Sequence, residues 1–174
     1  MKELMKLLKP KLFKNYQNSF SDIRGFLNPI SLESLLRKKE LSNFTSEYQL
    51  ISFTKNAHTF RGFHFQKPPS QQVKILIVHA GKILDIVFPF TDPNEKDLIT
   101  YELEAGDILL IPNNYAHGFY TKSSDVLLQY ILDKEFDPEN YTGFNGFKYI
   151  SEKIGRNDVL ISDHDLKLPM LNFN

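Results

Sequence analysis

The stretch Val73–Phe88, VKILIVHAGKILDIVF, decides the fold class. Two apolar runs, Val73–Val78 and Ile83–Phe88, flank the four residues His79–Lys82, and the glycine at position 81 marks a tight turn. Short apolar runs that are separated by turn residues are typical of β-strands. We therefore expect two neighbouring strands that are joined as a β-hairpin.

The same pattern continues along the chain from about residue 48. The runs Leu98–Leu103 and Ile108–Ile111 flank Glu104–Asp107, which predicts a second hairpin. A further strand is predicted over Val126–Leu132, where every second residue is apolar and shares one face. Many short strands punctuated by Gly, Pro and Asn indicate a mainly β protein, an antiparallel sandwich or barrel of the jelly-roll kind.

The two ends of the chain differ from this middle part. Ser31–Lys39, SLESLLRKK, predicts a short amphipathic helix that Ser31 caps at its N-terminus. The segment from Tyr141 onward predicts loops and short helices that pack over the barrel. With no internal repeat and no low-complexity linker, the sequence predicts a single domain over residues 1–174, with its barrel core at about 45–137.

Composition narrows the function classes. Lys+Arg and Asp+Glu both number 21, so no overall charge attracts nucleic acid or an anionic membrane. The chain has no cysteine, which excludes disulfides, thiol nucleophiles and zinc–thiolate sites. Met1–Lys14 has no uninterrupted apolar run of signal-peptide length, and no window is long enough to span a membrane. We expect a soluble, cytoplasmic protein.

The clearest candidate for chemistry is His64, in the stretch Arg61–Gln66, RGFHFQ. It lies among aromatic residues of a predicted strand, three residues after Arg61 and ten before Lys74. Nearby cations disfavour the protonated imidazole, which suits a neutral base that meets an acidic carbon beside a developing negative charge. The alternative is a core histidine whose ring is hydrogen-bonded to a backbone carbonyl.

A second motif suggests the superfamily. Gly106–Pro112, GDILLIP, with His117 five residues after the proline, resembles the second motif of the cupins. Many cupins bind a metal through two histidines and a carboxylate of their first motif together with this later histidine. Gln66 stands where such a cupin has its second histidine, and no matching glutamate is present. We therefore expect no metal, although a metal-dependent cupin oxygenase is one alternative.

From Asp22 onward the chain resembles the nucleotide-sugar 3,5-epimerases, typified by the dTDP-4-dehydrorhamnose 3,5-epimerase family. The order and spacing of several short motifs carry this resemblance, including Tyr130 thirteen residues after His117 and Asp165 four before a proline. The matching segments are Asp22–Phe26, Arg61–Gln66, Pro68–Pro69 with Gln72 and Lys74, Gly81–Asp85, Ile111–Pro112, Ala116–Phe119, Tyr130, Asp137–Pro138, Ile161–Asp165 and Leu168–Pro169.

The resemblance implies a cupin double-stranded β-helix and a set of catalytic roles. In a 4-keto sugar, the carbonyl acidifies the protons at C3 and C5. The resemblance assigns His64 as the base, Asp165 as the group that holds its tautomer and Tyr130 as the acid on the opposite face. Lys74 would stabilise the enolate oxygen, and Arg61 would help to bind the substrate.

The resemblance also implies a set of substrate contacts. Phe136 stands where the family usually stacks a tyrosine on the nucleobase, and a phenyl ring can also stack. The remaining predicted substrate-binding residues are Arg24, Gln49, Gln66, His117 and His164. The chain departs from the family at Pro29, Ile51 and Tyr141, which are positions that bear on nucleotide recognition more than on the reaction.

The expected function is cofactor-independent epimerisation of a nucleotide-linked 4-keto-6-deoxy sugar, whose product would enter lipopolysaccharide, capsule or another glycoconjugate. Family members are dimers that exchange N-terminal strands, so the resemblance implies a homodimer. Two alternatives stay open beside the oxygenase: a 3-epimerase or ketoisomerase acting on another nucleotide sugar, and a sugar-binding cupin without catalysis.

Overall fold

The computed structural model describes residues 9–16, 19–38, 41 and 44–173. The strands are β1 (Lys11–Phe13), β2 (Phe20–Asp22), β3 (Gly25–Leu27), β4 (Tyr48–Thr54), β5 (Phe60–Gln66), β6 (Lys74–Ala80), β7 (Lys82–Pro89), β8 (Ile99–Glu104), β9 (Ile108–Ile111), β10 (Tyr115–Thr121), β11 (Val126–Leu132) and β12 (Tyr141–Gly143). The helices are α1 (Leu32–Leu36), α2 (Phe147–Ile154) and α3 (Asp163–Leu166).

Two five-stranded antiparallel sheets form the barrel. The first sheet has the order β1-β9-β6-β11-β4 and the second has the order β12-β5-β10-β7-β8, while β2 and β3 form a separate pair. From β4 to β12, strands that follow each other in sequence lie in different sheets, as in a jelly roll, except for β7 and β8, which pair within the second sheet. The prediction of a mainly β, cupin-type barrel with short helices near its ends is confirmed, whereas the single-domain organisation stays a prediction.

Both predicted hairpins are wrong. β6 pairs with β9 and β11, whereas β7 pairs with β8 and β10, so the two strands belong to different sheets. β8 and β9 are divided between the sheets in the same way. Gly81 and Gly106, with φ of 82° and 101°, lie at the turns where the chain crosses from one sheet to the other. These left-handed conformations favour glycine.

The apolar runs are continuous because both faces of these strands are buried. Residues of both sheets, such as Leu76 and Val87, fill the space between the sheets. The outer face of the first sheet packs against Leu35 of α1, and the outer face of the second packs against Ile150 of α2. A continuous apolar run therefore identifies a buried strand but does not reveal its partner.

Serine side chains cap the N-termini of α1 and α3, whereas α2 follows Gly146 without a side-chain cap. Ser31 Oγ accepts a hydrogen bond from Ser34 N at 3.2 Å, which confirms the predicted N-cap. The helix ends at Leu36, earlier than predicted, and Lys39 lies outside the described residues, as does the apolar part of the N-terminus. Within the described part of the chain, no helix is long and apolar enough to cross a membrane.

Candidate active site

A cavity of about 700 Å³ lies between the two sheets, a volume typical of small-molecule sites. Inward-facing residues of the central strands line it. On β4, Leu50 and Ser52 face the cavity. The predicted site residues that line it are Arg61, His64, Gln66, Lys74, His117, Tyr130, Phe136 and Asp165. The fold therefore brings together eight residues that are dispersed over the sequence.

His64 and Asp165 form a hydrogen-bonded pair on one wall of the cavity. His64 Nε2 lies 2.9 Å from Asp165 Oδ1, and Gly62 N donates to Asp165 Oδ2 at 3.2 Å. Burial alone would raise the pKa of Asp165, but the hydrogen bonds from His64, Gly62 and Ser162 hold it below the usual value. An ionised Asp165 accepts a hydrogen bond from the protonated Nε2 of His64. The other ring nitrogen, Nδ1, then carries no proton and is the basic one.

The position of Asp165 depends on a helix of four residues. Ser162 caps α3, and its side chain accepts a hydrogen bond from Asp165 N at 3.1 Å. The capped turn directs the Asp165 carboxylate toward β5, where it is only 4% exposed. A residue from the end of the chain thereby reaches a strand about a hundred residues earlier.

Tyr130 lies on the opposite wall, because β11 belongs to the first sheet and β5 to the second. It is 6% exposed, and its ring centroid lies 5.6 Å from that of His117. Burial raises the pKa of Tyr130 well above its usual value, and the charge of Asp85 adds to this effect. The phenol therefore keeps its proton at neutral pH and can act as an acid.

Lys74 begins β6 and is buried inside the barrel, not exposed on a sheet edge. Burial lowers its pKa to about 8, although the charges of Asp85 and Asp133 oppose this shift. The side chain is thus an ammonium ion at neutral pH. In a cavity shielded from water, an ammonium ion can stabilise a developing oxyanion.

His117 is held as a neutral imidazole. It is buried beside Asp85, whose Oδ2 lies 3.4 Å from His117 Nδ1. Burial lowers its pKa well below the usual value, and the charges of Lys74 and His64 lower it further. Among the described residues, no group of three or more His, Cys, Asp or Glu side chains is arranged to hold a metal.

Arg61 and Gln66 line the cavity but also hold the protein's own backbone and side chains. Arg61 Nε donates to Thr54 Oγ1 at 3.1 Å. Gln66 Nε2 donates to Ser70 O at 2.6 Å, and its Oε1 accepts from Asp137 N at 2.8 Å. The Gln66 amide thus ties together two loops at the cavity edge, and its predicted contact with substrate stays a prediction.

The Tyr141 ring packs among the rings of His64, Phe136 and His164. The Tyr141 ring centroid lies 5.4 Å from that of His64, 5.2 Å from that of Phe136 and 6.3 Å from that of His164. Burial raises the pKa of Tyr141 to about 12, with a contribution from the charge of Asp165. The wall at this position therefore carries a neutral phenol.

Three predicted substrate-binding residues, Arg24, Gln49 and His164, are not among the residues that line the cavity. Arg24, between β2 and β3, is exposed and forms an ion pair with Asp22 at 2.5 Å. Gln49 lies on the outward face of β4 and accepts a hydrogen bond from Gln129 Nε2 at 3.1 Å. Side chains alternate along a strand, so Gln49 faces away while Leu50 faces the cavity.

Sequence reasoning assigned no role to Asp85, which is fully buried between Ile83 and Val87 on β7. The signal was available, because Asp85 is the only charged residue in the run Ile83–Phe88. A carboxyl group in the middle of a buried strand is costly without a function or a partner.

A basic imidazole on one sheet, with a phenol and an ammonium ion on the other, can remove a proton from carbon and stabilise the resulting oxyanion. It can also return a proton from the opposite side. The fold is that of a cupin-type barrel, and its cavity suits an epimerase that inverts a carbon beside a carbonyl group. The sequence profile of dTDP-4-dehydrorhamnose 3,5-epimerase matches residues 10–172, so the chain belongs to that family and is an isomerase.

Individual relatives agree with this assignment. The dTDP-4-dehydrorhamnose 3,5-epimerase of Sinorhizobium fredii is 26% identical over 176 residues, which cover 96% of this chain and 85% of the relative. The crystal structure of the Bacillus anthracis enzyme, with TDP and PPi bound, is 27% identical with a TM-score of 0.75, covering 93% of this chain and 94% of that one. The Legionella pneumophila enzyme, in complex with dTDP-4-keto-L-rhamnose, shares the fold at 20% identity with a TM-score of 0.70, covering 92% and 87%.

Proposed function

We propose that the protein converts dTDP-4-dehydro-6-deoxy-D-glucose into dTDP-4-dehydro-L-rhamnose by epimerisation at C3 and C5, without a metal or redox cofactor. The observation that carries the proposal is the His64–Asp165 pair, with its 2.9 Å hydrogen bond, on the wall opposite Tyr130. The relatives support the substrate class, because the Bacillus anthracis enzyme binds TDP and the Legionella pneumophila enzyme binds dTDP-4-keto-L-rhamnose.

In the proposed reaction, His64 Nδ1 takes the proton from C3 or C5 of the sugar. The electron pair of the broken C–H bond forms the C=C bond of an enolate, and the C4 carbonyl oxygen becomes negatively charged. The Lys74 ammonium donates a hydrogen bond to that oxygen, an interaction worth about 3–4 kcal/mol in comparable oxyanion sites. Tyr130 then donates a proton to the same carbon from the opposite face, which inverts it.

Asp165 stabilises the charged His64 in this scheme. When His64 takes the substrate proton it becomes an imidazolium ion, and the carboxylate 2.9 Å from Nε2 supplies the opposite charge. Asp165 itself stays ionised, as a buried carboxylate does behind a catalytic histidine. Asp165 therefore stabilises His64 most strongly once His64 has taken the substrate proton and become positively charged.

We also propose that the protein is a cytoplasmic homodimer. Large apolar side chains are exposed on the outward face of β4, Ile51 at 71% and Phe53 at 55%, and on the β2–β3 pair, Phe26 at 54%. Large exposed apolar side chains grouped on a strand face are typical of an interface. Arg24 and Gln49 lie on the same elements, so a second copy offers a route by which they could reach a cavity.

Incubation with dTDP-4-keto-6-deoxyglucose in deuterated water tests the proposed reaction. We expect NMR to show deuterium at both C3 and C5 and inversion at both carbons. Exchange at C3 alone would instead support the 3-epimerase alternative. If no label enters from dTDP, UDP or GDP-linked 4-keto-6-deoxy sugars while these ligands still bind, the chain is a sugar-binding cupin and the proposal is wrong.

A further inference from the structure

The segment 133–140 joins β11 to β12 and contains neither helix nor strand. Phe136 is the residue of this segment that lines the cavity, and its ring meets the Tyr141 ring edge-on, with the centroids 5.2 Å apart. The main chain of such a segment has no strand partner to satisfy and fix its N–H and C=O groups, so other groups must do so.

The side-chain amide of Gln66 engages the main chain on both sides of Phe136. Its Oε1 accepts a hydrogen bond from Asp137 N at 2.8 Å. Its Nε2 donates to Ser70 O at 2.6 Å and, more weakly, to Glu135 O at 3.4 Å. Glu135 O and Asp137 N belong to the two peptide groups that flank Phe136. An amide that holds both of these planar groups restricts the two backbone torsions of the residue between them.

A second amide, that of Gln72, supports the same segment. Gln72 Nε2 donates to Lys134 O at 2.9 Å and to Glu135 O at 3.1 Å. Gln66 and Gln72 are only 2% and 6% exposed, so water has little access to replace a hydrogen bond that either amide loses. Of the two, only Gln66 bonds to the main chain both before and after Phe136.

We propose that Gln66 is a positioning residue that holds the Phe136 ring at the cavity wall, where the ring stacks on the nucleobase of the substrate. This inference rests on the proposed function, in which the ligand is a dTDP-linked sugar. The amide of Gln66 is engaged by the protein's own main chain, so it acts on the ligand through Phe136. A ring that is already ordered before binding loses less conformational entropy when the ligand arrives, which favours affinity.

The first test is NMR of the ligand-free full chain, labelled on its phenylalanine and tyrosine rings. The wild type should show NOEs between the rings of Phe136 and Tyr141, as their 5.2 Å separation requires. Gln66→Met removes every hydrogen bond of the amide at similar side-chain size and should weaken these NOEs. Gln71→Met, the same change at a half-buried neighbour outside the cavity lining, should keep them. NOEs that are absent from the wild type, or unchanged in Gln66→Met, would overturn the inference.

The second test is a double-mutant cycle on the affinity for dTDP, measured by calorimetry. We expect Gln66→Met to raise the Kd about fivefold or more, which is the lower end of what base–aromatic stacking contributes, and Phe136→Ala to raise it at least as much. In the Phe136→Ala background, Gln66→Met should have no further effect, and with the intact ring it should raise KM more than it lowers kcat. An equal effect of Gln66→Met in both backgrounds would indicate direct contact with the ligand and contradict the inference.

If Gln66→Met does not fold, Gln66→Glu replaces it in both tests. Glutamate keeps an oxygen that accepts from Asp137 N but loses the donor to Ser70 O and Glu135 O, and Gln71→Glu is then the control for the added charge. A wild type that neither binds dTDP nor exchanges deuterium would count against the proposed function. The NOEs between Phe136 and Tyr141 would still decide whether Gln66 positions the ring.

Discussion

The imidazole of His64 is the residue on which the proposed reaction depends most directly. Asp165 holds one nitrogen, and the other is left basic toward a cavity in which Lys74 and Tyr130 also lie. The sequence predicted this set through motif order and spacing. Asp85 lies in the matching segment Gly81–Asp85 but was assigned no role, because the sequence match does not show that its carboxyl group is buried beside His117.

Replacement of His64 should strongly slow proton exchange without unfolding the protein. We expect His64→Ala to lower the rate of deuterium uptake about 10²–10⁴-fold, the usual contribution of a general base. His58→Asn is the matched control, because His58 lies outside the cavity lining and has a φ of 59°, which asparagine tolerates. Equal loss in both variants would contradict the role of His64.

Activity should fall in alkaline solution because Lys74 loses its charge. Its pKa is lowered to about 8, so the ammonium form that stabilises the enolate disappears as the pH rises through that value. We expect kcat at saturating substrate to fall above about pH 8, and the Lys74→Met variant to lose this alkaline limb together with most of its activity. A wild-type rate that stays level from pH 7 to pH 10 would argue against this assignment.

At the scale of elements, the strand runs and the α1 cap were predictable, whereas strand pairing was not. Ser31 was identified because capping is a local property of the sequence. The partners of β6 and β7 depend on which sheet each strand joins, and the alternation of the chain between sheets is a long-range property. An apolar run that is buried on both faces does not indicate which strand it pairs with.

The cap of α3 should matter for catalysis, whereas the cap of α1 should not. Ser162→Ala removes the acceptor for Asp165 N, which we expect to cost about 1 kcal/mol of stability and to lower kcat by misplacing the Asp165 carboxylate. Ser31→Ala removes the equivalent cap of α1, at similar cost in thermal unfolding but with unchanged kcat. Ser162→Asn, which keeps a capping side chain, should have a higher kcat than Ser162→Ala. If kcat falls as much in Ser31→Ala as in Ser162→Ala, this expectation is wrong.

The strand β12 lies too close to β5 to accept a side chain at Gly143. A Cβ there would meet the Phe63 carbonyl oxygen at 1.9 Å, so the strand would have to move. We expect Gly143→Ala to displace Tyr141 from the His64 ring and to weaken substrate binding, seen as a higher KM, while Thr142→Ala has little effect. The prediction is wrong if both variants have the KM of the wild type.

At the scale of the whole molecule, the uncovered face of β4 bears on assembly. The chain has a mass of 20.3 kDa, so the proposed homodimer would have about twice that mass in light scattering. Phe53→Lys places a charge on this face and should shift the protein toward the monomer. Met170→Lys is the control, since Met170 is also exposed, at 50%, but lies in the C-terminal segment. A wild-type protein that is monomeric at high micromolar concentration would contradict the dimer.

The placement of His64 on one sheet and Tyr130 on the other has a stereochemical consequence. A flat enolate that lies between the two layers has each of its faces turned toward a different layer. With the proposed roles, a proton leaves the sugar carbon toward His64, and a proton returns to that carbon from Tyr130. Handedness at the sugar carbon would then be reversed by the two-layered architecture itself, without any turning of the ligand during the reaction.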